Sequence, residues 1–188
     1  MPFQKLLLSP IFLCLLLFSN HLIAAEKPVL SFGVVADIQY CDHRPYQSRY
    51  FQNSISKLEQ CVQVFNSCDL KFVINLGDII DREFTNYDSI LPVFDKIKAP
   101  KYHVLGNHEF SISDRLKASI PEKLALKNSY YDFKIKSWRF VVLDGNDISL
   151  HRYSASDSQY AKANDLFNRL KKNKTENIQA WSGAIGEV

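Results

Sequence analysis

The chain has 188 residues, 46% of them hydrophobic and 23% charged, which suits one globular domain with its own core. Its formal net charge of +3 is small and its Lys and Arg residues are scattered, which excludes a broad nucleic-acid-binding face. No repeat or low-complexity tract is present, and the one dense basic patch, Lys171-Lys172-Asn173-Lys174, reads as the solvated end of a helix.

The first element is not part of the fold. Lys5 precedes an apolar run from Leu6 to Phe18, broken only by Ser9 and Pro10, and Ile23-Ala24-Ala25 offers small residues before Glu26. That order reads as a secretory signal peptide over residues 1–25, cleaved near Ala25, and places the mature chain outside the cell or in the periplasm. The run is short for a spanning helix and is followed by Ser19-Asn20-His21 rather than a basic flank, so no stable membrane anchor is expected. Cys14 follows a large residue, Leu13, which argues against a lipoprotein signal. The mature chain keeps Cys41, Cys61 and Cys68, an odd number: either Cys61 pairs with Cys68, or all three are unpaired buried thiols. Asn173-Lys174-Thr175 is a glycosylation sequon.

Strands and helices then alternate. A strand is expected over Val29–Ala36, and Phe51, Ile55, Leu58, Val62 and Phe65 recur at helical spacing within Tyr50–Phe65. Lys71–Leu76 is a second strand, Tyr87–Ile97 a helix with Pro92 near its first turn, and Lys101–Leu105 a third strand, giving parallel order. A weaker helix over Leu116–Leu126 is interrupted at Pro121. Tyr130–Ile135 and Trp138–Leu143 alternate as a hairpin across Lys136-Ser137. Asp157–Lys172 is an amphipathic helix with Tyr160, Leu166, Phe167 and Leu170 on its apolar side.

The chemistry collects where the strands end. Asp37-Ile38-Gln39, Gly77-Asp78-Ile79-Ile80-Asp81 and Gly106-Asn107-His108-Glu109 each follow an apolar run, so oxygen and nitrogen donors gather at the carboxyl edge of one sheet. Asp37 is a candidate ligand for one metal, Asp78 for a bridge between two, and Asn107 for the second. A metal pair of this kind clamps a phosphoryl group and lowers the pKa of a water. His108 would sit over the phosphate to stabilise it or to protonate the leaving group, oriented by Asp81. Each motif alone has a plainer reading, since Gly-Asp after a strand is most often a turn or an N-cap and Gly-Asn is a common turn. His103 reads as a core histidine, and His43 and His151 as surface residues. The three motifs in this order are hard to obtain from turns alone.

Gly77-Asp78-Ile79-Ile80-Asp81 and Gly106-Asn107-His108-Glu109 resemble the second and third motifs of the calcineurin-like metallophosphoesterase superfamily. The first motif departs from the commonest form, carrying Gln39 where a histidine is usual. Ala36-Asp37-Ile38-Gln39-Tyr40, together with the late Trp181-Ser182-Gly183-Ala184-Ile185-Gly186, is similar to the manganese-dependent ADP-ribose/CDP-alcohol diphosphatase branch. The resemblance implies an α/β two-sheet sandwich flanked by helices, of which residues 29–188 are the N-terminal half. It implies a dinuclear Mn²⁺ site holding Asp37, Gln39, Asp78 and Asn107, other divalent metals also fitting, and hydrolysis of a nucleoside diphosphate derivative into two monophosphates. The family completes its site with later histidines, one on a downstream strand and two in a Gly-His-x-His motif, and no histidine follows His151 here. An inactive, truncated remnant or a binding domain is therefore the alternative, with a phosphomonoesterase or cyclic-nucleotide phosphodiesterase a further one.

Overall fold

The computed structural model describes residues 28–172. The signal segment over residues 1–25, the sequon at Asn173 and the run from Trp181 to Gly186 lie outside the described residues.

Three short strands, β1 (Gly33–Val35), β2 (Val73–Asn75) and β3 (Lys101–His103), form a parallel sheet in the order β1-β2-β3. Val35 sits beside Asn75, and Asn75 beside His103. The strands therefore end level, and the segments that follow them emerge at one edge. α1 (Asn53–Ser67) and α2 (Asn86–Phe94) link the strands. They bury Leu58, Val62, Tyr87, Ile90, Val93 and Phe94 in one core with Val73 and Ile79. The three-and-four spacing in α1 is thus the spacing of a core stripe, each fully buried large apolar side chain contributing about 2 kcal/mol of transfer free energy.

Pro92 is the seventh residue of α2 rather than a first-turn residue. With no N–H to offer the preceding turn, it weakens the helix there, and α2 stops at Phe94. The helix expected over Leu116–Leu126 is instead two short ones, α3 (Asp114–Lys117) and α4 (Ile120–Lys123). The break falls at Ala118-Ser119. Pro121 lies in the first turn of α4, where a missing N–H costs no intrahelical hydrogen bond.

β4 (Tyr131–Ile135) and β5 (Trp138–Val142) pair antiparallel, with Ile135 opposite Trp138 across Lys136-Ser137. Lys136 takes a φ of +54°, the left-handed conformation that a two-residue hairpin turn demands. Since side chains alternate along a strand, Phe72 points away from the helix-facing Val73. It is fully buried and meets Phe133 and Phe140 of the hairpin at ring-centroid distances of 5.1 and 4.8 Å. Tyr102 stacks on Phe133 at 3.5 Å and Phe32 on Phe72 at 4.7 Å. The hairpin is thereby pinned to the second face of the sheet. α5 (Ser158–Lys172) buries Ala163, Phe167 and Leu170.

The Cys61–Cys68 pairing does not form, and the unpaired alternative holds except that only one of the three thiols is buried. Cys41, Cys61 and Cys68 are all free, the first buried, the second half-buried and the third exposed. Cys61 lies inside α1 and Cys68 directly after it, so two helical turns, roughly 10 Å of rise, separate residues that a disulfide would need much closer.

Candidate metal centre

The segments after β1 and β2 continue side by side beyond the sheet. Asp37 N–H donates to the Gly77 carbonyl at 3.2 Å, Gln39 N–H to that of Asp78 at 2.8 Å, and Tyr40 N–H to that of Ile79 at 3.1 Å. Asp81 N–H returns to the Tyr40 carbonyl at 2.9 Å. Asp37, Gln39 and Asp78 all hold left-handed backbones, with φ of +53°, +44° and +58°. Side-chain-bearing residues avoid that region at a cost of about 1 kcal/mol or more each, and such strain concentrates at functional sites. Gly77, at φ +108°, and Gly106 are required for a different reason. A Cβ on Gly77 would fall 2.5 Å from the Gly106 nitrogen, and one on Gly106 would fall inside the Asp78 carboxylate.

Glu109 fastens the second and third motifs together. Its fully buried carboxylate accepts N–H donors from Asp78 at 2.8 Å, Ile79 at 2.7 Å and Gly106 at 2.7 Å. Complete burial pushes the Glu109 carboxyl up to about 7, against these donors, with the Asp78 charge adding to the rise. The Tyr87 hydroxyl, also buried, has no hydrogen-bond partner among the described residues, and burial raises its pKa in the field of Glu109 and Asp78.

The N-cap reading of Gly-Asp does not describe what is seen, and the turn reading of Gly-Asn describes only the backbone. Asp78 caps no helix, because α2 begins only at Asn86, and its Oδ1 instead accepts the His108 N–H at 2.8 Å. Asn107 opens the 3-10 turn His108–Phe110, yet its side chain makes no cap hydrogen bond. The His108 imidazole Nδ1 lies 3.0 Å from Asp81 Oδ1, and Asp81 is buried. The spacing of five residues in Gly-Asp-x-x-Asp thus places one carboxylate under the backbone of His108 and the other against its ring.

The donor chemistry fits divalent cations. Asp37 is exposed at the edge, and Gln39 Nε2 lies 3.4 Å from its Oδ1. Burial raises the Asp78 carboxyl, and the neighbouring Asp37 charge raises it further, a repulsion that a cation beside them would relieve. Asp37, Gln39, Asp78 and Asn107 would hold the ions. Among the described residues no three His, Cys, Asp or Glu side chains cluster as a metal site. The donor set is two carboxylates and two amides, rich in oxygen and short of what two six-coordinate ions take.

A cavity of about 430 Å³ opens beside Asp37, lined by Val34, Val35, Ile38, Ser54 and Lys57. A larger one of about 560 Å³, between Leu91, Tyr102, Lys123 and Tyr131, is lined by none of the motif residues, so size does not identify the site.

Two contributions were not visible in the sequence. Glu109 sits within a recognised motif, but its role depends on N–H groups that only folding assembles. His151, expected on the surface, is half-buried and feels the charges of His108 and Asp78. Its loop is fixed by Asn146, whose Nδ2 donates to the Leu105 carbonyl at 3.0 Å, by the buried Asp144–Arg152 ion pair, and by Lys117 donating to the His151 carbonyl at 2.6 Å. His43 is exposed and His103 buried, as expected, the latter against the Phe94 ring at 4.9 Å.

A parallel sheet with paired acidic loops at one edge and a His–Asp pair beside them defines a phosphoesterase class. Residues 30–184 match the calcineurin-like phosphoesterase family, and the chain belongs to it. It is 39% identical over 190 residues to a manganese-dependent ADP-ribose/CDP-alcohol diphosphatase of Arabidopsis thaliana, an alignment covering 87% of this chain and 61% of that protein. A protein of the same name from Oryza sativa subsp. japonica is 33% identical over 169 residues, covering 82% of this chain and 53% of its own. The crystal structure of a dimetal phosphatase from Danio rerio superposes with a TM-score of 0.65 at 25% identity, over 78% of this chain and 54% of that one. The chain thus spans little more than half the length of the relatives it matches.

Proposed function

We propose that this chain carries the first half of a Mn²⁺-dependent phosphohydrolase centre that cleaves the diphosphate of nucleoside diphosphate derivatives such as ADP-ribose and CDP-alcohols. The observation that carries the reading is the line of groups from Asp37 through Asp78 and His108 to Asp81, with one backbone and one side-chain hydrogen bond linking its last three members. The names of the relatives support the substrate and the metal, and the amide of Gln39 in place of an imidazole supports an oxygen-preferring ion. When bound, two such ions supply Lewis acidity and lower the pKa of a water. Asp78 would serve both ions, and Glu109 keeps its backbone in register with Gly106. His108 holds a proton at its ring and presents it to the departing oxygen, while Asp81 fixes the ring by accepting from Nδ1.

The test is Mn²⁺-dependent release of AMP from ADP-ribose, compared with hydrolysis of p-nitrophenyl phosphate and a cyclic nucleotide. The diphosphate should show the highest kcat/KM, and Asp78→Asn should reduce it to background by disturbing both ions. His108→Ala should keep the metal content and lose roughly a hundredfold or more in kcat. A monoester preference would favour the phosphomonoesterase reading, and no hydrolysis of any substrate in Mn²⁺ the inactive one. Export of the chain is part of this reading, and a mature N-terminus at Glu26 is its check.

A further inference from the structure

Asp81 is approached by two guanidinium groups that the hydrolytic line above does not use. Arg82 comes directly after the Gly-Asp-x-x-Asp run, with Nε 3.7 Å from Asp81 Oδ2. Arg49 comes from the other loop, between β1 and α1, with Nη1 3.9 Å from the same oxygen. Both distances are too long for hydrogen bonds, and among the described residues neither guanidinium donates one to a protein oxygen. The other Asp81 oxygen is taken by His108. One carboxylate thus faces two permanent cations as well as an imidazole.

Both arginines are held in place. Arg82 lies over the Phe51 ring at 5.1 Å, and the ring itself is buried. Arg49 is fixed by a reciprocal backbone pair, its N–H donating to the Tyr46 carbonyl at 2.9 Å and its carbonyl accepting from Tyr46 N–H at 3.1 Å. Arg82 also adopts a left-handed backbone with φ +70°, a conformation that glycine would take without strain. A residue that served only to neutralise Asp81 would gain little from this, since loosely spaced, half-exposed ion pairs contribute next to nothing. The Arg82 and Arg49 side chains are 42% and 50% exposed, so both are open to solvent beside Asp81.

We propose that Arg82 and Arg49 form a subsite for the second phosphoryl group of a diphosphate substrate. The proposal rests on the hydrolase reading above and assigns the choice between diphosphate and monoester to these two residues. The reacting phosphoryl group lies on the Asp78 side of His108, and the next phosphoryl group extends past His108 to the planar guanidinium donors, which match phosphate oxygens two at a time. A monoester ends before reaching them.

The experiment uses the full 188-residue chain in Mn²⁺, with calorimetric titration of a methylene-bridged ADP analogue and of AMP. The wild type should bind the analogue more tightly. Arg82→Gly, which suits the left-handed backbone and should keep or raise the melting temperature, should weaken analogue binding by roughly tenfold, and addition of Arg49→Ala by about as much again. Arg82→Lys, keeping the charge without the planar fork, should fall between. AMP affinity should change much less in every variant, so the preference itself collapses. A preference for the analogue that survives in the double variant overturns the subsite and leaves the hydrolase reading standing. Equal wild-type affinity for both probes also overturns the subsite, whereas no Mn²⁺-dependent binding of either nucleotide overturns the hydrolase reading and the subsite with it.

Discussion

Glu109 and His103 are both buried at the third strand and the turn that follows it, and burial displaces them in opposite directions. Loss of solvation, with Lys101 adding to it, lowers His103 to about 4, whereas Glu109 rises to about 7. His103 therefore contributes stability that is present above about pH 6.5 and is lost as pH falls toward 4. Glu109 contributes stability that is present below about pH 4.5 and is lost as pH rises toward 7. Each displacement is worth about 3 kcal/mol, so between these limits the two slopes largely offset one another, with the raised Asp78 adding to the Glu109 side. In metal-free buffer the wild-type melting temperature should vary little from pH 4.5 to 6.5. His103→Phe should unmask a clear fall with rising pH over the same range. A flat profile in that variant would show that Glu109 stays charged throughout. Asp37, Gln39, Asp78, Asp81, Asn107 and His108 were legible in the sequence because each stands within a few residues of a strand end. The reach of Glu109 to three N–H groups, and of His151 from a loop some forty positions downstream, were not legible, since no local pattern encodes either.

At the scale of elements, the order of strands and helices followed from periodicity, and the boundaries did not. Val29–Ala36 was expected as one strand and only Gly33–Val35 qualifies, yet Lys71 N–H still donates to the Ser31 carbonyl at 2.9 Å and Leu76 N–H to that of Val35 at 2.8 Å. The extended chain thus pairs beyond both ends of the regular ladder. Proline positions are likewise set by packing rather than by the sequence pattern. A sequence window shows that Pro92 and Pro121 perturb a helix, while packing of Ile90, Phe94 and Ile120 decides which turn receives them. The hairpin was the clearest element, since alternation and its two-residue turn agree. Its attachment depends on Phe72, whose ring contacts Phe32, Tyr102, Phe133 and Phe140. Phe72→Ala should lower unfolding free energy by about 3–5 kcal/mol in denaturant titration. Phe140→Ala, removing a ring from the same cluster, should be less than additive with it. Full additivity would mean that the hairpin is not held by this cluster.

For the whole molecule, the helix-covered face of the sheet packs closely, while the opposite side leaves apolar side chains exposed among the described residues. Val34, Leu76, Val141 and Leu143 are exposed on or beside it, although the hairpin aromatics cover Phe72. Among the described residues the sheets are one of three strands and one hairpin. The donor count has the same character. On the proposed assignment Asp37, Gln39 and Asp78 would serve one ion and Asp78 and Asn107 a second, well below the six oxygen ligands of an octahedral Mn²⁺. One Mn²⁺ should bind this chain tightly and the second only at much higher concentration, so the proposed hydrolysis should follow the weaker site. Calorimetry across a wide Mn²⁺ range, run beside an AMP-release assay, reads both quantities. Asp78→Asn should weaken both binding steps and Asn107→Ala only the second. Two equally tight sites in the wild type would mean that donors other than these four residues complete the centre.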